Sequence, residues 1–171
     1  MKLRGYKMQQ SIIYKPIGII QTPFKISDGM PIQPRFSNEK GKAIITNEYL
    51  EATLGLEEFS HIFLLYHFHK AKEPKLLVKP FLSRKEKGLF AIRAPNRPNP
   101  IGISIVQLLE INAKKNTIEI IFSGADMLNQ TPLLDIKPYV TDFDAYPDAK
   151  NGWYDEREIE KTTADNRFSK L

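Results

Sequence analysis

The sequence contains no cysteine among its 171 residues. Disulfides, thiolate zinc sites, iron–sulfur clusters and cysteine nucleophiles are therefore excluded for the chain as given. The chain also lacks any run of about 18 consecutive apolar residues, the length that a membrane-spanning helix requires. The apolar run at 11–20 is interrupted by Lys15 and Pro16, so it makes a poor secretory signal. We expect a cytoplasmic protein that does not insert into a membrane.

Three motifs of common nucleotide-binding and hydrolytic enzymes are missing. No G-x-G-x-x-G turn, which would indicate a Rossmann dinucleotide site, occurs in the chain. Neither a G-x-x-x-x-G-K-[ST] phosphate loop nor a G-x-S-x-G nucleophile turn occurs. Rossmann, phosphate-loop and serine-hydrolase sites are therefore unsupported.

What the sequence does contain is a series of short β-type runs separated by turn formers. Apolar and β-branched residues predict strands at 17–21, 42–46, 61–69, 88–93, 102–111, 117–122 and 133–137. One short helix is predicted at 48–54, between the capping residue Asn47 and the terminating Gly55. This pattern, in a chain whose 42% hydrophobic content can fill one core, predicts a single-domain β-barrel or sandwich. The polar segment beyond Gly152 is predicted to form a loose helix or to fray.

The formal net charge of +5 is modest, but the charges are unevenly distributed. The first 25 residues carry five bases and no acid, and residues 70–87 carry seven bases against two acids. Residues 142–160 reverse this balance, with seven acids against two bases. A segregated basic region can attract a polyanion such as RNA. The alternative is an ordinary solvated loop, which charge alone favours.

The segment 93–102, R-A-P-N-R-P-N-P-I-G, is the most unusual in the chain. Its three prolines fix φ at three positions, which leaves little backbone entropy to lose on binding. No acidic residue occurs between Glu86 and Glu110, so Arg93 and Arg97 have no carboxylate partner nearby in the sequence. A rigid loop with two such guanidinium groups suits a carboxylate or phosphate ligand. The alternative is a stiff connection whose arginines pair elsewhere in the fold.

Three histidines, His61, His67 and His69, lie on the predicted strand at 61–69. Their odd positions place all three on one face. His67 and His69 could chelate a metal ion with a third ligand from elsewhere, but His61 would lie about 20 Å from His67 along an extended strand. Neutral histidines that line a pocket are the favoured interpretation, and no metal site is predicted.

Two acidic residues near the last predicted strand are candidates for a site. Asp126 lies in the loop after the strand predicted at 117–122, where binding groups commonly lie, although a turn-forming aspartate is the plainer interpretation. Asp135 and Lys137 share one face of the next strand with Leu133, because side chains alternate with period two. The neighbouring lysine makes Asp135 a structural or ligand-orienting residue rather than a base.

Five segments of the sequence, taken together and in order, resemble the TsaA-like (TrmO-type) family. They are 17–24 (IGIIQTPF), 55–61 (GLEEFSH), 90–93 (FAIR), 97–102 (RPNPIG) and 131–139 (TPLLDIKPY). The resemblance implies a single-domain, mainly antiparallel β-barrel over 13–145 and a polar acidic tail over 146–171. It also implies a homodimer with its site near the subunit interface, and S-adenosylmethionine as the cofactor. Characterised members of the family methylate N6 of N6-threonylcarbamoyladenosine, the modified tRNA base next to the anticodon.

The family's site residues are carried over by motif, as the resemblance implies. The positions that match its cofactor cradle are Pro31, Ile32, Gln33, His69, Lys70, Arg93, Ile105, Ala125, Asp126, Met127 and Leu128. Within that set, Arg93 is the predicted partner of a cofactor carboxylate. Asp126 is the predicted residue that orients the acceptor or takes its proton. Arg97 or Lys137 is predicted to hold the threonyl carboxylate of the substrate.

Departures from the family pattern bear on the substrate. Many bacterial members have Arg in place of Ile32, Gln in place of Lys70 and Asp-Gly in place of 129–130, and they continue into an extra C-terminal domain. Two alternatives to a tRNA methyltransferase therefore stay open. One is a non-catalytic module that binds S-adenosylmethionine or RNA, and the other is a metal hydrolase that uses His67 and His69.

Overall fold

Six strands of the chain close into an antiparallel barrel. The computed structural model describes residues 11–168. Outside this range lie residues 169–171 and three of the five bases counted among the first 25 residues, namely Lys2, Arg4 and Lys7. The strands are β1 Gly18–Gln21, β2 Lys40–Thr46, β3 His61–His67, β4 Leu77–Val78, β5 Lys87–Gly88, β6 Ile101–Ala113, β7 Thr117–Ser123 and β8 Thr131–Pro138. The barrel order is β1-β2-β7-β6-β3-β8, with β8 pairing back to β1, and β4 and β5 form a separate two-stranded sheet. The predicted mainly β, antiparallel barrel is thus confirmed.

The barrel core follows from the alternation of side chains along each strand. In β3 the even positions point inward and are buried, whereas the odd positions stay half-exposed. Every barrel strand contributes inward side chains, and the turn after β7 adds two more. These core residues are Ile20, Ala43, Ile45, Ile62, Leu64, Tyr66, Val106, Ile118, Ile120, Phe122, Ala125, Met127 and Leu133.

Helical structure in residues 11–168 is confined to short segments. One α-helical turn, α1, spans Thr141–Asp144, and 3-10 segments span Pro34–Phe36, Asn47–Tyr49, Glu51–Thr53, Leu56–Glu58, Leu89–Ala91, Gly152–Tyr154 and Asn166–Phe168. The helix predicted at 48–54 is therefore replaced by two 3-10 turns. The Thr53 hydroxyl donates to the Leu50 carbonyl oxygen at 2.8 Å, a local bond that competes with a regular α-helix. No helix in the described range is long and apolar enough to cross a membrane.

The prediction of a strand at 88–93 is wrong. Only Lys87–Gly88 pairs with a neighbour, namely β4, and the chain continues as a 3-10 turn. The Arg97 guanidinium explains the difference. Its Nη1 donates to the carbonyl oxygens of Leu89 and Ile92 at 3.3 and 2.9 Å, so it occupies acceptors that a strand would offer to a partner.

All six barrel strands differ from their predicted ranges by one or two residues at an end, and β3 and β8 show why. β3 ends at His67 because the next residue, Phe68, donates its N–H to the Pro100 carbonyl at 2.8 Å and the chain then turns. β8 extends beyond the predicted range 133–137 and includes Pro132 and Pro138. They occupy its second and last positions, where a missing backbone donor is tolerated.

Residues 152–168, the C-terminal segment, pack back onto the loops of the barrel. Ala164 N–H donates to the Met30 carbonyl at 2.7 Å, and Ile32 N–H donates to the Thr162 carbonyl at 3.0 Å. The Trp153 indole N–H donates to a loop carbonyl, that of residue 91, at 2.8 Å. The predicted loose helix or frayed end is therefore wrong for residues up to 168, because bonds to loops distant in the sequence hold this segment.

Candidate functional site

A cavity of about 890 Å³ opens at the end of the barrel where β3 ends and β6 begins. Its walls come mainly from residues 25–33, 66–72, 90–103, 126–131 and 164–166. The volume lies within the range of about 300–1,000 Å³ typical of pockets that hold small organic ligands.

The cavity brings together most of the residues that the motifs single out. Those that line it are Pro31, Ile32, Gln33, His69, Lys70, Arg93, Arg97, Asp126, Met127 and Leu128. They belong to four separate loops, so only the closed barrel makes them neighbours.

Three predicted site residues lie away from the cavity walls. Ile105 is on the outward face of β6, opposite Phe63 of β3, and Ala125 is fully buried in the core. Lys137 is near the other end of β8, where its Nζ pairs with an Asp135 carboxylate oxygen at 2.9 Å. Of the two residues predicted to hold the substrate carboxylate, the structure therefore brings only Arg97 to the cavity.

The turn after β7 places Asp126 at the cavity. Gly124 adopts a left-handed conformation with φ of 95°, which lets the chain leave the strand sharply. The N–H groups of Gly124 and Ala125 both donate to the Glu39 carbonyl at 3.0 Å. The Ser37 hydroxyl donates to the Ala125 carbonyl at 2.6 Å. These bonds direct Ala125 into the core and leave the next side chain facing the cavity.

Asp126 titrates near neutral pH. Burial raises the pKa of its carboxyl from 3.8 to about 7, against the opposing effects of the hydrogen bond from Ser104 and the charge of Arg93. The Ser104 hydroxyl donates to Oδ1 of Asp126 at 2.6 Å, and the Tyr66 hydroxyl lies 3.0 Å from Ser104 Oγ. A carboxyl perturbed in this way within a cavity is a candidate acid–base group.

The burial of Asp126 predicts a pH-dependent effect on stability. The unfolded chain releases this proton near 3.8 and the folded chain near 7, so ionisation makes folding less favourable as pH rises through that window. Replacing Asp126 by asparagine is therefore expected to raise the free energy of unfolding at pH 8 by about 2–4 kcal/mol. At pH 4 the variant and the wild type should differ little. Urea unfolding at the two pH values measures this, and a loss of stability at pH 8 would contradict it.

His69 is oriented as a neutral ring. Its Nδ1 lies 3.4 Å from Thr131 Oγ1, whose own proton is donated to the Leu128 carbonyl at 2.7 Å. This contact favours the tautomer with the ring proton on Nδ1, in which Nε2 is an acceptor. Burial, Lys70 and then His67 lower the pKa of His69. Within residues 11–168, no group of three or more His, Asp or Glu side chains is placed to hold a metal ion.

The two arginines of the proline-rich loop have different roles in the structure. Arg93 is exposed and donates from Nη1 to Gln33 Oε1 at 3.0 Å, so its partner in this bond is a neutral amide. Arg97 braces its own loop through the two carbonyl groups described above, and its guanidinium lies 5.7 Å from the centre of the Phe90 ring. Arg93 is therefore better placed than Arg97 to meet an anionic ligand.

Hydrogen bonds among charged side chains hold the C-terminal segment at the cavity. Arg167 donates from Nε and Nη2 to the two carboxylate oxygens of Asp165, each at 2.8 Å, and Lys161 donates to the same carboxylate at 2.8 Å. The Arg167 hydrogen bonds, followed by that of Lys161, hold the pKa of Asp165 well below its usual range. Arg167 also donates to the Pro80 carbonyl at 2.8 Å and lies 4.8 Å from the Phe81 ring centre.

Several residues of the site were not predicted from the sequence. Tyr66 and Ser104 had a detectable signal, because both are polar residues at inward positions of strands that are otherwise apolar there. Residues 164–166 line the cavity but carry no motif. Ser27 also lines the cavity, and its buried hydroxyl has no hydrogen-bond partner among the described residues.

Comparison with known families settles which family this barrel represents. The family described as tRNA-methyltransferase O N-terminal domain matches residues 19–145. The chain belongs to this family. The match covers all six barrel strands apart from the first residue of β1, and it includes most of the cavity walls, whereas the C-terminal segment lies outside it.

Individual members of the tRNA-methyltransferase O family show how far the similarity extends. The chain is 46% identical over 163 residues to a "Probable S-adenosyl-L-methionine-binding protein" of Pyrococcus abyssi, covering 94% of this chain and 86% of that protein. It is 34% identical over 146 residues to the tRNA (adenine(37)-N6)-methyltransferase of Escherichia coli, covering 81% of this chain and 62% of that enzyme. The crystal structure of TrmO from Pseudomonas aeruginosa superposes with a TM-score of 0.69 at 37% identity, covering 84% of this chain and 62% of that one. The chain thus spans less than two thirds of the bacterial proteins.

Proposed function

We propose that this protein is an S-adenosylmethionine-dependent methyltransferase that acts on N6 of threonylcarbamoyladenosine in tRNA, next to the anticodon. The observation that carries the proposal is the convergence of the family's motif residues on one cavity, beside a carboxyl whose pKa is about 7. The name of the Escherichia coli relative supplies the reaction and the tRNA position.

The cavity lining fits the proposed cofactor. Met127 and Leu128 offer apolar surface for an adenine ring and a thioether chain, and Arg93 offers a charge for a carboxylate. The Ser27 hydroxyl, buried without a protein partner in the described range, is suited to a polar ligand atom. When bound, this cofactor supplies an activated methyl group.

The protein's contribution is mainly positional. Alignment of two bound reactants can contribute about 7–11 kcal/mol to lowering the barrier, whereas one acid–base group typically contributes about 10²–10⁴-fold in rate. The acceptor nitrogen of a carbamoylated adenosine is a weak nucleophile, so removal of its proton assists the reaction. As the N–H bond of the acceptor breaks, Asp126 takes that proton on its carboxylate. Its pKa of about 7 suits proton transfer near neutral pH.

Arg93 is the proposed anchor for the carboxylate of the cofactor. Arg93→Ala is expected to weaken S-adenosylmethionine binding about 10–100-fold, since hydrogen bonds to charged groups contribute about 1.5–3 kcal/mol. Calorimetric titration measures this effect, and thermal unfolding shows whether the fold is retained. The matched control is Arg84→Ala, which removes another exposed arginine outside the cavity. Equal losses of affinity in both variants would contradict the proposed role.

A homodimer is the proposed assembly, formed through an apolar stripe on the outer face of β6. Ile101, Ile103, Ile105 and Leu109 are between 41% and 51% exposed, and exposed apolar patches mark interaction surfaces. Ile101 and Ile103 also line the cavity, so a partner seated on this stripe would lie beside it. This arrangement gives Ile105 a place at the interface, although it is outside the cavity of its own chain.

Ile105→Lys is therefore expected to convert the dimer to a monomer, because the substitution places a charge in the middle of the stripe. Light scattering after size-exclusion chromatography gives the mass of each species. Leu54→Lys is the matched control, since Leu54 is 78% exposed and lies outside the stripe. A monomeric wild type, or a variant that stays dimeric, would contradict the proposed interface.

The basic segment 70–87 supports a polyanionic substrate. Lys70 and Lys72 line the cavity, and the exposed side chains of Lys75, Lys79 and Lys85 continue the same sign of charge away from it. A tRNA whose modified base enters the cavity would pass its phosphates near this segment.

The second candidate function is a module that binds S-adenosylmethionine without catalysis, which the name of the Pyrococcus abyssi relative favours. An assay of methyl transfer distinguishes the methyltransferase from the non-catalytic module. The protein is incubated with S-adenosylmethionine and tRNA from cells that lack the corresponding gene, and the digested nucleosides are analysed by mass spectrometry. We expect threonylcarbamoyladenosine to be replaced by a nucleoside that is heavier by one methylene unit. Cofactor binding without any transfer would overturn the enzyme and support the module.

A further inference from the structure

Two polar side chains, Tyr66 and Ser104, lie inside the barrel core. Within residues 11–168, their side-chain hydrogen bonds join them to each other and to Asp126. Ser104 of β6 is 2% exposed and Tyr66 of β3 is 3% exposed. The Tyr66 hydroxyl lies 3.0 Å from Ser104 Oγ, and Ser104 Oγ lies 2.6 Å from Asp126 Oδ1. A barrel core can be filled by apolar side chains alone, so this polar chain requires a physical reason.

The direction of each bond follows from the chemistry of the groups. An ionised carboxylate accepts hydrogen bonds and cannot donate, so the Ser104 hydroxyl donates its one proton to Asp126. Ser104 Oγ can then only accept from Tyr66, whose phenol donates. Burial and the charge of Asp126 raise the pKa of Tyr66, so the phenol keeps its proton. The donors therefore run in series, from Tyr66 to Ser104 and from Ser104 to Oδ1 of Asp126.

A glycine in the proline-rich motif makes this arrangement possible. Gly102 is the strand partner of Tyr66, and Ser104 is the partner of Leu64. Tyr66 therefore reaches a diagonal neighbour by laying its ring across Gly102. A Cβ at position 102 would collide with the Tyr66 ring. The absence of a side chain there is thus linked to the orientation of the Tyr66 hydroxyl.

We propose that Ser104 and Tyr66 are positioning residues for the methyl-transfer reaction, which hold Asp126 by Oδ1 and leave Oδ2 to meet the acceptor. This inference rests on the proposed function. It assigns a task to two buried residues that act on Asp126 rather than on the acceptor. The alternative is a purely structural pair, whose loss would lower stability and leave the kinetics of the folded protein unchanged.

The pH dependence of the rate distinguishes the two possibilities. The Ser104 bond favours the ionised form of Asp126, so its removal raises the pKa of that carboxyl and moves the acid limb of the kcat profile to higher pH. The other charged or titratable groups that act on Asp126 from neighbouring elements are Tyr66 on β3 and Arg93 on the proline-rich loop, and His69 and Lys70 follow β3 at the same cavity.

The test compares kcat and cofactor affinity of the full chain over pH 6–9 in wild type, Ser104→Ala, Ser104→Thr and Tyr66→Phe. Ser104→Ala should lower kcat about tenfold at pH 7 and about threefold at pH 9, because high pH restores the carboxylate. S-adenosylmethionine affinity should stay within about twofold, since the altered atoms act on the acceptor side. Ser104→Thr keeps the hydroxyl and should restore most of the rate.

A double variant tests whether the two residues act as one unit. Ser104→Ala/Tyr66→Phe should match the kcat of Ser104→Ala within about twofold, because Tyr66 acts only through Ser104. In Ser104→Ala the buried Tyr66 hydroxyl loses its hydrogen-bond partner, which can destabilise the fold. The double variant also removes this hydroxyl, so its kcat remains informative if Ser104→Ala alone folds poorly. Ser83→Ala is the control, since it removes another buried serine hydroxyl, which accepts a hydrogen bond from the Lys85 backbone N–H.

Each outcome decides a separate claim. Absence of methyl transfer by the wild type would overturn the proposed function, and this inference with it. An active wild type with an unshifted profile in Ser104→Ala, or with equal losses in Ser83→Ala, would overturn the inference and leave the function standing.

Discussion

Replacing Asp126 by asparagine is expected to lower the rate of methyl transfer about 10²–10⁴-fold, the range that one acid–base group contributes. The amide has nearly the shape of the carboxylate and can still accept the hydrogen bond that Ser104 donates at 2.6 Å. It cannot take a proton from the acceptor. Single-turnover methyl transfer at pH 8 measures the effect, because a carboxyl whose pKa is about 7 is mostly ionised there in the wild type.

The control for this variant is Asp135→Asn. Asp135 is about half-exposed, pairs with Lys137 at 2.9 Å and lies outside the cavity walls. Its replacement should change the rate by no more than about twofold, as for most surface substitutions. Since Asp126→Asn is also expected to unfold less readily at pH 8, a slow variant cannot be explained by a lost fold. Full turnover by Asp126→Asn would exclude Asp126 as the proton acceptor.

A chain that ends at Glu160 is expected to keep the barrel and to bind S-adenosylmethionine about 10–100-fold more weakly. The deletion removes residues 164–166 from the cavity wall. It also removes the backbone bonds that hold Met30 and Ile32, and with them the loop that presents Gln33 to Arg93. The barrel strands all precede residue 139, so circular dichroism should retain the β signal. Calorimetric titration measures the change in affinity.

Arg157→Ala is the matched control within the same segment. Arg157 pairs with Glu160 and lies 4.8 Å from the Tyr154 ring centre, but it does not line the cavity. Its removal should leave cofactor affinity within about twofold, as expected for a surface ion pair. Undiminished binding by the shortened chain would show that the C-terminal segment is not part of the site.

The barrel could be predicted from the sequence because its strands alternate inward and outward side chains. The run 117–123 carries this period in its sequence, whereas 61–67 is apolar at almost every position. The series of short strands left a barrel and a sandwich open, and the family resemblance favoured the barrel. The loop at 88–93 could not be predicted in the same way. Its residues have strand-like composition, but the Arg97 side chain donates hydrogen bonds to two of their carbonyl groups. Composition alone does not reveal such a contact.

The site could be predicted only in part, because some of its walls depend on contacts between residues that are far apart in the sequence. Pro31, Gln33, Arg93 and Asp126 belong to recognisable motifs, and the fold brings all four to one cavity. The C-terminal wall depends on contacts such as the bond between Arg167 and the carbonyl of residue 80, which are 87 positions apart. Ser104 was detectable in principle, because a serine at an inward position of an apolar strand is unusual unless it has a partner.

The most direct test of the central claim, that the barrel-end cavity is an S-adenosylmethionine site, is a calorimetric titration of the purified 171-residue protein. S-adenosylmethionine and S-adenosylhomocysteine are titrated into wild type and Arg93→Ala in parallel. We predict one bound molecule per chain with a low-micromolar Kd in the wild type, and clearly weaker binding in the variant. A folded wild-type protein that binds neither ligand would contradict the claim, and with it the proposed methyltransferase.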